Sequence, residues 1–264
     1  MPLTARDHGM LKRDVPSSAR AYEFYLRGNQ LSHDAKQWSV ARDLYLRCVE
    51  ADPRYAPAWA RLGRMYHVLG KYVDSDPRES LDQAETAFTR ALAINPELPL
   101  AHKLYAQLEV DLGRAEHAMA RLLKRAPAAD SELFAGLVSA CQYCGLLEAS
   151  LAADAHARRF EPRVRTSVVY TWFLRADYSR VAATRLEENP YIVALSLEAL
   201  GRSAEAIAAL RRLEDKTRTR MRDFMIAART LMEGHRDAAT TFAQVRGDAI
   251  LGIRISAATG SRRP

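Results

Sequence analysis

Cys141 and Cys144 stand three residues apart, the spacing of a redox-active or metal-binding pair of cysteines. A redox pair needs its first thiol at the N-terminus of a helix, where the helix dipole lowers the thiol pKa. Here the pair ends a helical pattern just before Gly145, where the dipole opposes a thiolate. A structural zinc would need two further ligands, and Cys48 is the only other cysteine. We therefore predict that the cysteines pack between helices and that the protein carries no metal or cofactor.

The chain also lacks the sequence signatures of common enzymes. It contains no H-E-x-x-H zinc motif, P-loop, dinucleotide fingerprint or G-x-S-x-G nucleophile elbow. Its histidines never stand at metal-ligand spacing on one helix. The sequence thus predicts a protein that is not an enzyme. A cofactor or metal bound to the purified protein would favour the opposite interpretation.

The net charge of +7 and two clusters of basic residues raise the question of nucleic acid as a partner. The clusters are Arg158, Arg159, Arg163 and Arg165, and then Lys216, Arg218, Arg220 and Arg222. Neither cluster carries a motif that reads nucleic acid. We interpret both as solvated turns, and we keep a nucleic-acid-binding or regulatory helical-repeat protein as the alternative function.

A repeated pattern of large and small residues predicts the elements that position these side chains. The order of residue types W-x₂-L-G-x₂-Y…A-x₃-F…P is reproduced by Trp59, Leu62, Gly63, Tyr66, Ala84, Phe88 and Pro96. On these residues the chain resembles the tetratricopeptide repeat (TPR) family. The resemblance implies helical hairpins in which the large residues pack against the next helix, while Gly63 and Ala84 leave room for close backbone approach.

One such hairpin cannot bury its apolar face alone, so the pattern should repeat along the chain. We predict an all-α, right-handed α-solenoid of about seven hairpins over residues 20–246. A flexible segment, 1–19, precedes it, and a C-terminal cap or disordered tail, 247–264, follows. Glycines that end helical patterns mark the turns at Gly70, Gly113, Gly145, Gly201 and Gly234. The predicted hairpins are 20–54, 55–98, 99–129, 130–164, 165–190, 191–217 and 218–246.

Two irregularities interrupt the repeat. An insertion at 71–76 ends in Asp76 and Pro77, which read as an N-cap and a first helical residue, and it predicts a following helix about two turns longer than its counterparts. The unit at 165–190 is compressed, with Ala176 where a glycine turn is expected. We expect this compressed unit to be the weakest part of the array. His102 replaces the tryptophan of its hairpin and is interpreted as a packing residue.

The segment 22–72 resembles the opening of TPR arrays that follow serine/threonine kinase, adenylate cyclase or TolB-like regions in bacterial signalling proteins. The phrase A-Y-x-x-Y-L-R-G, which opens those arrays, is matched at 21–28. This resemblance implies a scaffold in bacterial signalling or regulation. Residues 1–15 lack the apolar core of a signal peptide, which favours a cytoplasmic location and no membrane. Ile250, Leu251, Ile253 and Ile255 would cap the last hairpin or join two copies into a homo-oligomer.

The resemblance places the first helices of the hairpins along a concave binding groove, and it directs attention to the polar side chains between their packing positions. The predicted peptide-binding residues are Asn29, Arg61, Arg64, His67, Lys103, Gln107, Gln142, Tyr143 and Tyr170. We expect Arg61, Arg64 and Lys103 to be solvent-accessible and to favour an acidic protein or peptide segment.

Family members that hold a terminal carboxylate of a chaperone do so with lysine, asparagine and arginine at set positions. This chain keeps Asn29 but has Tyr25 and Arg61 at two of the other positions, and leucines at the basic positions of the third hairpin. A chaperone-tail clamp is therefore not predicted.

Overall fold

The computed structural model describes residues 15–74, 76–126, 130–184, 190–214 and 220–235, and within these residues every regular element is helical. A single 3₁₀ turn spans Ala35–Gln37. The α-helices are α1 (Ala19–Leu31), α2 (Trp38–Ala51), α3 (Ala56–Tyr72), α4 (Arg78–Ile94), α5 (Pro99–Asp111), α6 (Ala115–Leu123), α7 (Ser131–Tyr143), α8 (Leu147–Phe160), α9 (Val168–Leu174), α10 (Tyr178–Ala182), α11 (Pro190–Ala199), α12 (Ser203–Glu214) and α13 (Arg220–Met232).

Local sequence signals set several helix starts. The Ser18 hydroxyl accepts a hydrogen bond from the amide of Ala21, and the Asp130 carboxylate accepts one from Glu132 at 2.7 Å. Pro57 and Pro99 stand in the first turns of α3 and α5, where a missing N–H costs nothing. Ser17 also donates to Asp52 at the end of α2, so residues 17 and 18 belong to the array rather than to a flexible segment.

The two helices of each hairpin pack against each other, and the hairpins stack in chain order. The described residues contain both helices of the first six predicted hairpins and the first helix of the seventh, α13. The first helices α3, α5, α7, α9 and α11 pack side by side in one layer. Apolar clusters lie between successive hairpins rather than in one central core. The predicted all-α solenoid is thereby confirmed. The residues 236–264, including Ile250 to Ile255, lie outside the described part.

The second hairpin shows why the small residues of the repeat matter. A Cβ atom added at Gly63 would lie 3.0 Å from the ring of Phe88, closer than side chains ordinarily approach. The indole of Trp59 donates to the carbonyl of Pro53 at 3.0 Å. His102 donates in the same way to Pro96 at 2.7 Å, six residues before it, and is 1% exposed. The histidine thus takes over both the packing and the hydrogen bond of the tryptophan that it replaces.

The predicted turns are correct in four places and wrong in one. Gly113, Gly145, Gly201 and Gly234 have φ between 74° and 87°, the left-handed conformation of a helix stop. Gly70 does not end a helix, because α3 continues through it to Tyr72. A side chain at Gly70 would press on Ser80 of α4 at 3.0 Å, so this glycine permits close packing of two helices.

The insertion after Gly70 is flanked by two long helices, because α3 and α4 have 17 residues each. Among the second helices of the hairpins, α4 is three residues longer than α2 and α8, five longer than α12 and eight longer than α6. The predicted lengthening is therefore present, and it reaches two turns relative to the shorter second helices. Pro77 is the N-cap residue of α4, one position later than predicted, and the Asp76 carboxylate accepts a hydrogen bond from the amide of Arg78.

The compressed unit is visible as two short helices. Helix α9 has seven residues and α10 has five. In the turn between them, Ala176 has a φ of 59°. Within the described residues, Ala176 is the only residue other than glycine with a positive φ. An alanine in this conformation costs about 1 kcal/mol relative to glycine. The unit that begins the last third of the array is thus both small and locally strained.

Candidate groove on the first helices

All nine predicted peptide-binding residues lie on the first helices α1, α3, α5, α7 and α9, and we call the face of these helices that carries them the groove. Arg61 and Arg64 lie one turn apart on α3 and are half-buried. Within the described residues neither guanidinium takes a hydrogen bond or an ion pair, and the Nε atom of Arg61 is buried without a partner. Two half-buried cations without counter-ions are unusual, because buried charge is ordinarily paired.

The surroundings of Arg64 lower the pKa of its guanidinium. Burial lowers the pKa of the Arg64 guanidinium, and the positive charges of Arg61 and Arg165 lower it further. The phenols of Tyr45 and Tyr72 act in the opposite direction. Arg61 and Arg165, the two cations among the strongest influences on Arg64, therefore both oppose its charge. An anionic ligand would supply the counter-charge that the fold leaves out.

The C-terminal half of α3 is arranged differently, because its basic groups meet a carboxylate on the next hairpin. Asp111 at the end of α5 accepts a hydrogen bond from His67 Nε2 at 2.7 Å and from Lys71 Nζ at 2.7 Å. All three side chains are largely buried, with His67 6% exposed. Burial lowers the pKa of His67, and Asp111 only partly offsets that effect, so the imidazole is neutral near pH 7. His67 therefore ties two hairpins together instead of facing a ligand.

The expected accessibility of Lys103 is wrong for a similar reason. Its ammonium forms an ion pair with Glu132 of α7 at 2.6 Å, and its side chain is 13% exposed. The sequence analysis did not anticipate a carboxylate here because Glu132 belongs to the next hairpin, in the first turn of α7. Lys103 holds α5 against α7, and its charge is already balanced.

The three amide side chains of the groove differ in whether they take hydrogen bonds within the protein. Asn29 accepts a hydrogen bond from the hydroxyl of Tyr45 at 2.7 Å, which fixes α1 against α2. Gln142 is 8% exposed and receives a long hydrogen bond from Thr171 at 3.5 Å. Gln107 is half-buried on α5. Of the three, Gln107 is the side chain that takes no hydrogen bond within the described residues.

Tyr143 and Tyr170 form an aromatic part of the groove beyond the paired cations. Tyr143 is 56% exposed at the end of α7, and Tyr170 is half-buried on α9. Burial raises the pKa of Tyr143, and it raises that of Tyr170 to about 12. Tyr72, Lys71 and Asp111 also act electrostatically on the Tyr170 hydroxyl.

Two basic residues that the sequence analysis did not assign to the groove join Arg61 and Arg64. His33 follows α1, and Arg165 precedes α9; both are exposed. Burial lowers the pKa of His33, and so do the charges of Arg165, Arg64 and Arg61. We call Arg61, Arg64, Arg165 and His33 the cationic cluster. No local sequence signal links these positions, because they belong to the first, second and fifth hairpins.

The arginine-rich turn that contains Arg165 therefore divides into residues with different surroundings. Arg158 forms an ion pair with Asp154 at 2.9 Å, as expected for a structural turn. Arg159 and Arg163 are exposed. Only Arg165 acts electrostatically on the groove. Of the other basic cluster, Lys216 and Arg218 lie outside the described residues.

The cysteine pair has the surroundings of packing residues. Cys141 is 6% exposed, and burial raises its pKa; burial also raises the pKa of Cys144. A raised pKa disfavours the reactive thiolate. Across the described ranges, histidine, cysteine and carboxylate side chains do not gather into a group of metal-ligand size. The same ranges include no helix long and apolar enough to span a membrane.

Comparison with known proteins agrees with this geometry. Residues 44–76, which run from α2 through α3, match the family model described as Tetratricopeptide repeat. No curated protein matches the chain in sequence. Among solved structures, the chain is similar to one in the crystal structure of the APC/C hetero-tetramer Cut9-Hcn1, with 18% identity and a TM-score of 0.41. The match covers 90% of this chain and 45% of that one. Residues 44–76 thus match one tetratricopeptide repeat, and they lie within an array of stacked helical hairpins.

Proposed function

We propose that the protein is a non-catalytic scaffold that binds a segment of a partner protein in the groove. The observation that carries the proposal is the pair Arg61 and Arg64, half-buried on one face of α3 without any counter-ion in the described residues. A fold gains nothing in stability from such a pair, since neighbouring like charges repel. Residues that reduce stability are typical of binding sites.

The composition of the groove indicates the chemistry of the partner segment. Arginine pairs strongly with carboxylate or phosphate groups through two parallel hydrogen bonds. Beyond the cationic cluster, Tyr143 and Tyr170 offer exposed or half-buried aromatic surface. A segment with an acidic group followed by apolar or aromatic residues would satisfy both parts. Gln107 supplies an amide between them.

The test compares two variants of equal charge on an array of peptides that differ in acidic and aromatic content. The double variant Arg61→Glu with Arg64→Glu reverses the charge of two groove residues. The double variant Arg90→Glu with Arg159→Glu reverses the charge of two exposed arginines outside the first helices. We expect the wild type to select acidic peptides, the groove variant to lose that selection, and the control to keep it. Circular dichroism checks that all three fold.

Two results would contradict the proposal. If the groove variant is folded and selects the same peptides, the binding surface lies elsewhere on the array. If oligonucleotides bind instead, with an affinity that falls steeply as salt rises, the protein belongs to the nucleic-acid class.

The cellular setting is a further part of the proposal. The resemblance of residues 22–72 to the opening of arrays in bacterial signalling proteins supports a cytoplasmic regulatory scaffold. Isolation of the partner from a bacterial lysate, followed by mass spectrometry, tests this setting. A partner with no regulatory role would contradict it.

Association of two copies through the C-terminal segment is proposed from Ile250, Leu251, Ile253 and Ile255. Light scattering on the chain with and without residues 247–264 tests it. We expect the truncated chain to have the mass of a monomer, and equal masses for both chains would contradict this proposal.

A further inference from the structure

We propose that the C-terminal end of α8 binds a segment of single-stranded RNA. The surface consists of two exposed rings, His156 and Phe160, and two exposed arginines, Arg159 and Arg163, and we call it the ring surface. The sequence shows only an arginine-rich turn here, and the packing of α7 on α8 adds the arrangement of rings. None of these residues belongs to the groove, so the inference goes beyond the proposed function and does not rest on it.

The first support is a stack of three aromatic rings. Phe134 of α7 stacks on His156 with ring centroids 5.2 Å apart and on Phe160 with ring centroids 6.0 Å apart, and both pairs are within 17° of parallel. Phe134 is held by its packing against the buried cluster that contains Ala157 and Val164. Phe160 nevertheless remains 52% exposed. A planar base can therefore extend the stack from the solvent side.

The second support is the charge beside the rings. Arg159 and Arg163 are exposed, and within the described residues neither takes a hydrogen bond or an ion pair. Arg158 and Asp154 balance each other in an ion pair at 2.9 Å. Arg159 and Arg163 therefore outnumber the other carboxylate of this turn, Glu161. The excess of positive charge favours a phosphate backbone.

The order of the residues favours a nucleic acid over a peptide. Along the chain, ring and cation alternate as His156, Arg159, Phe160 and Arg163. The two rings are four residues apart on α8, a rise of about 6 Å. The ring surface thus offers a ring and a cation twice in succession. A single strand likewise repeats a planar base and a phosphate in every nucleotide, so neighbouring nucleotides can use both pairs.

The carboxylate beside the rings favours RNA over DNA. Glu161 follows Phe160 directly, and its carboxylate accepts a hydrogen bond from the Ser131 hydroxyl at 3.2 Å. A carboxylate repels phosphate groups. It can, however, accept a hydrogen bond from the 2′-hydroxyl of a ribose, the group that DNA lacks.

A second stack of exposed rings shows what the ring surface has in addition. On α1, Tyr22 and Tyr25 stack with ring centroids 6.5 Å apart, and Tyr22 is 44% exposed. There Arg27 forms an ion pair with Glu23 at 3.6 Å, and Arg20 lies over a third ring of the helix at 5.7 Å. Both arginines of α1 thus have partners within the protein. Unpaired arginines beside exposed rings distinguish the ring surface, and the stack on α1 provides a control.

The first experiment measures the stacking. Fluorescence anisotropy follows the binding of the full chain to a labelled oligouridylate. Phe160→Ala should weaken binding about tenfold, because it removes a platform on which a base stacks. The dependence of affinity on salt should stay the same, since no phosphate contact is lost. Tyr22→Ala should change neither quantity, and circular dichroism checks that both variants fold.

The second experiment measures the phosphate contacts. The double variant Arg159→Gln with Arg163→Gln removes both cations of the ring surface. The slope of log affinity against log salt concentration should become shallower by about 1.4, because each phosphate contact on a single strand contributes about 0.7. The double variant Arg61→Gln with Arg64→Gln removes the same charge from the groove. It should leave the affinity for RNA within about twofold of the wild type and the slope unchanged.

The outcomes separate this inference from the proposed function. Equal affinities for oligouridylate and oligodeoxyuridylate would overturn the assignment to RNA. Absence of binding to the wild type, or full binding by the variants of α8, would overturn the ring surface, while the selection of peptides by the groove is measured independently. Loss of RNA binding in the groove variant alone would place the nucleic acid in the groove and would overturn both proposals.

Discussion

The two halves of α3 carry basic side chains toward the same groove and differ in what meets them. In the N-terminal half, Arg61 and Arg64 have no counter-ion among the described residues. In the C-terminal half, His67 and Lys71 converge on Asp111 of α5. The difference arises from the neighbouring hairpin, because α5 ends with a carboxylate at the level of Lys71. Basic residues on one helix face are therefore unequal as ligand-binding candidates.

The comparison separates structural charges from available ones. A charge with a buried partner stabilises the stacking of two hairpins, and its loss should be measured as a change in the free energy of unfolding. A charge without a partner should affect binding, and its removal should not destabilise the fold. Three predictions test this division.

The largest loss of stability is expected when the carboxylate of Asp111, which His67 and Lys71 share, is removed. Asp111→Ala leaves the ammonium of Lys71 and the imidazole of His67 buried without their acceptor, and Lys71 is 13% exposed. Breaking a buried pair on one side costs about 3–5 kcal/mol. Urea denaturation should show a loss of that order in the free energy of unfolding.

Asp43→Ala is the matched control, because Asp43 is 58% exposed and pairs with Arg42 on the surface of α2. It should cost less than about 1 kcal/mol. Equal losses for the two variants would show that Asp111 is no more structural than a surface carboxylate.

The stability that His67 and Asp111 contribute should decrease in acid. Since burial lowers the pKa of His67 below 6.5, the unfolded chain binds more protons than the folded chain below that pH. Stability is therefore present above pH 6.5 and falls as the pH decreases. The pKa of Asp111 is also lowered: burial raises it, but His67 and Lys71 more than offset that effect, so a further loss follows below pH 3.8.

His67→Gln keeps a donor for Asp111 without titrating, and it should flatten the loss between pH 7 and 5. Arg90→Gln, at an exposed arginine of α4, should leave the slope unchanged. A residual slope is expected in both variants, because burial lowers the pKa of His102 to about 4 and the charges of Arg125 and Arg121 act in the same direction. An identical slope in the wild type and His67→Gln would contradict the assignment.

Much of the fold could be predicted from sequence because each hairpin depends on local pattern. The glycine turns, the role of Gly63 and the compressed unit around Ala176 all follow from residue types at repeat spacing. Gly70 was misassigned because a glycine that permits close packing within a helix has the same sequence appearance as one that ends a helix. Only the contact with Ser80 of α4 distinguishes them.

The groove was less predictable because its electrostatics depend on contacts between hairpins. Repeat position placed Arg61, Arg64 and Lys103 on the correct layer, but it gave no information on Glu132, which neutralises Lys103. The charge of Arg165 acts on Arg64 from the fifth hairpin, three repeats further along the chain. Spacing within one repeat contains neither piece of information.

The smallest expected change in the free energy of unfolding is an increase, which follows from removing an unpaired charge. Arg64→Gln removes a half-buried cation that repels Arg61 and Arg165, so it should stabilise the fold by about 0.5–1 kcal/mol. Lys103→Gln, on the neighbouring first helix, breaks the largely buried ion pair with Glu132 and should destabilise by at least as much. The midpoint of urea denaturation measures both changes, and unchanged m-values would confirm that the native state is retained. Opposite signs are expected because Lys103 has a counter-ion within the protein and Arg64 has none among the described residues. If both substitutions destabilise the protein, Arg64 contributes to the fold, and the division between structural and available charges fails at its central residue.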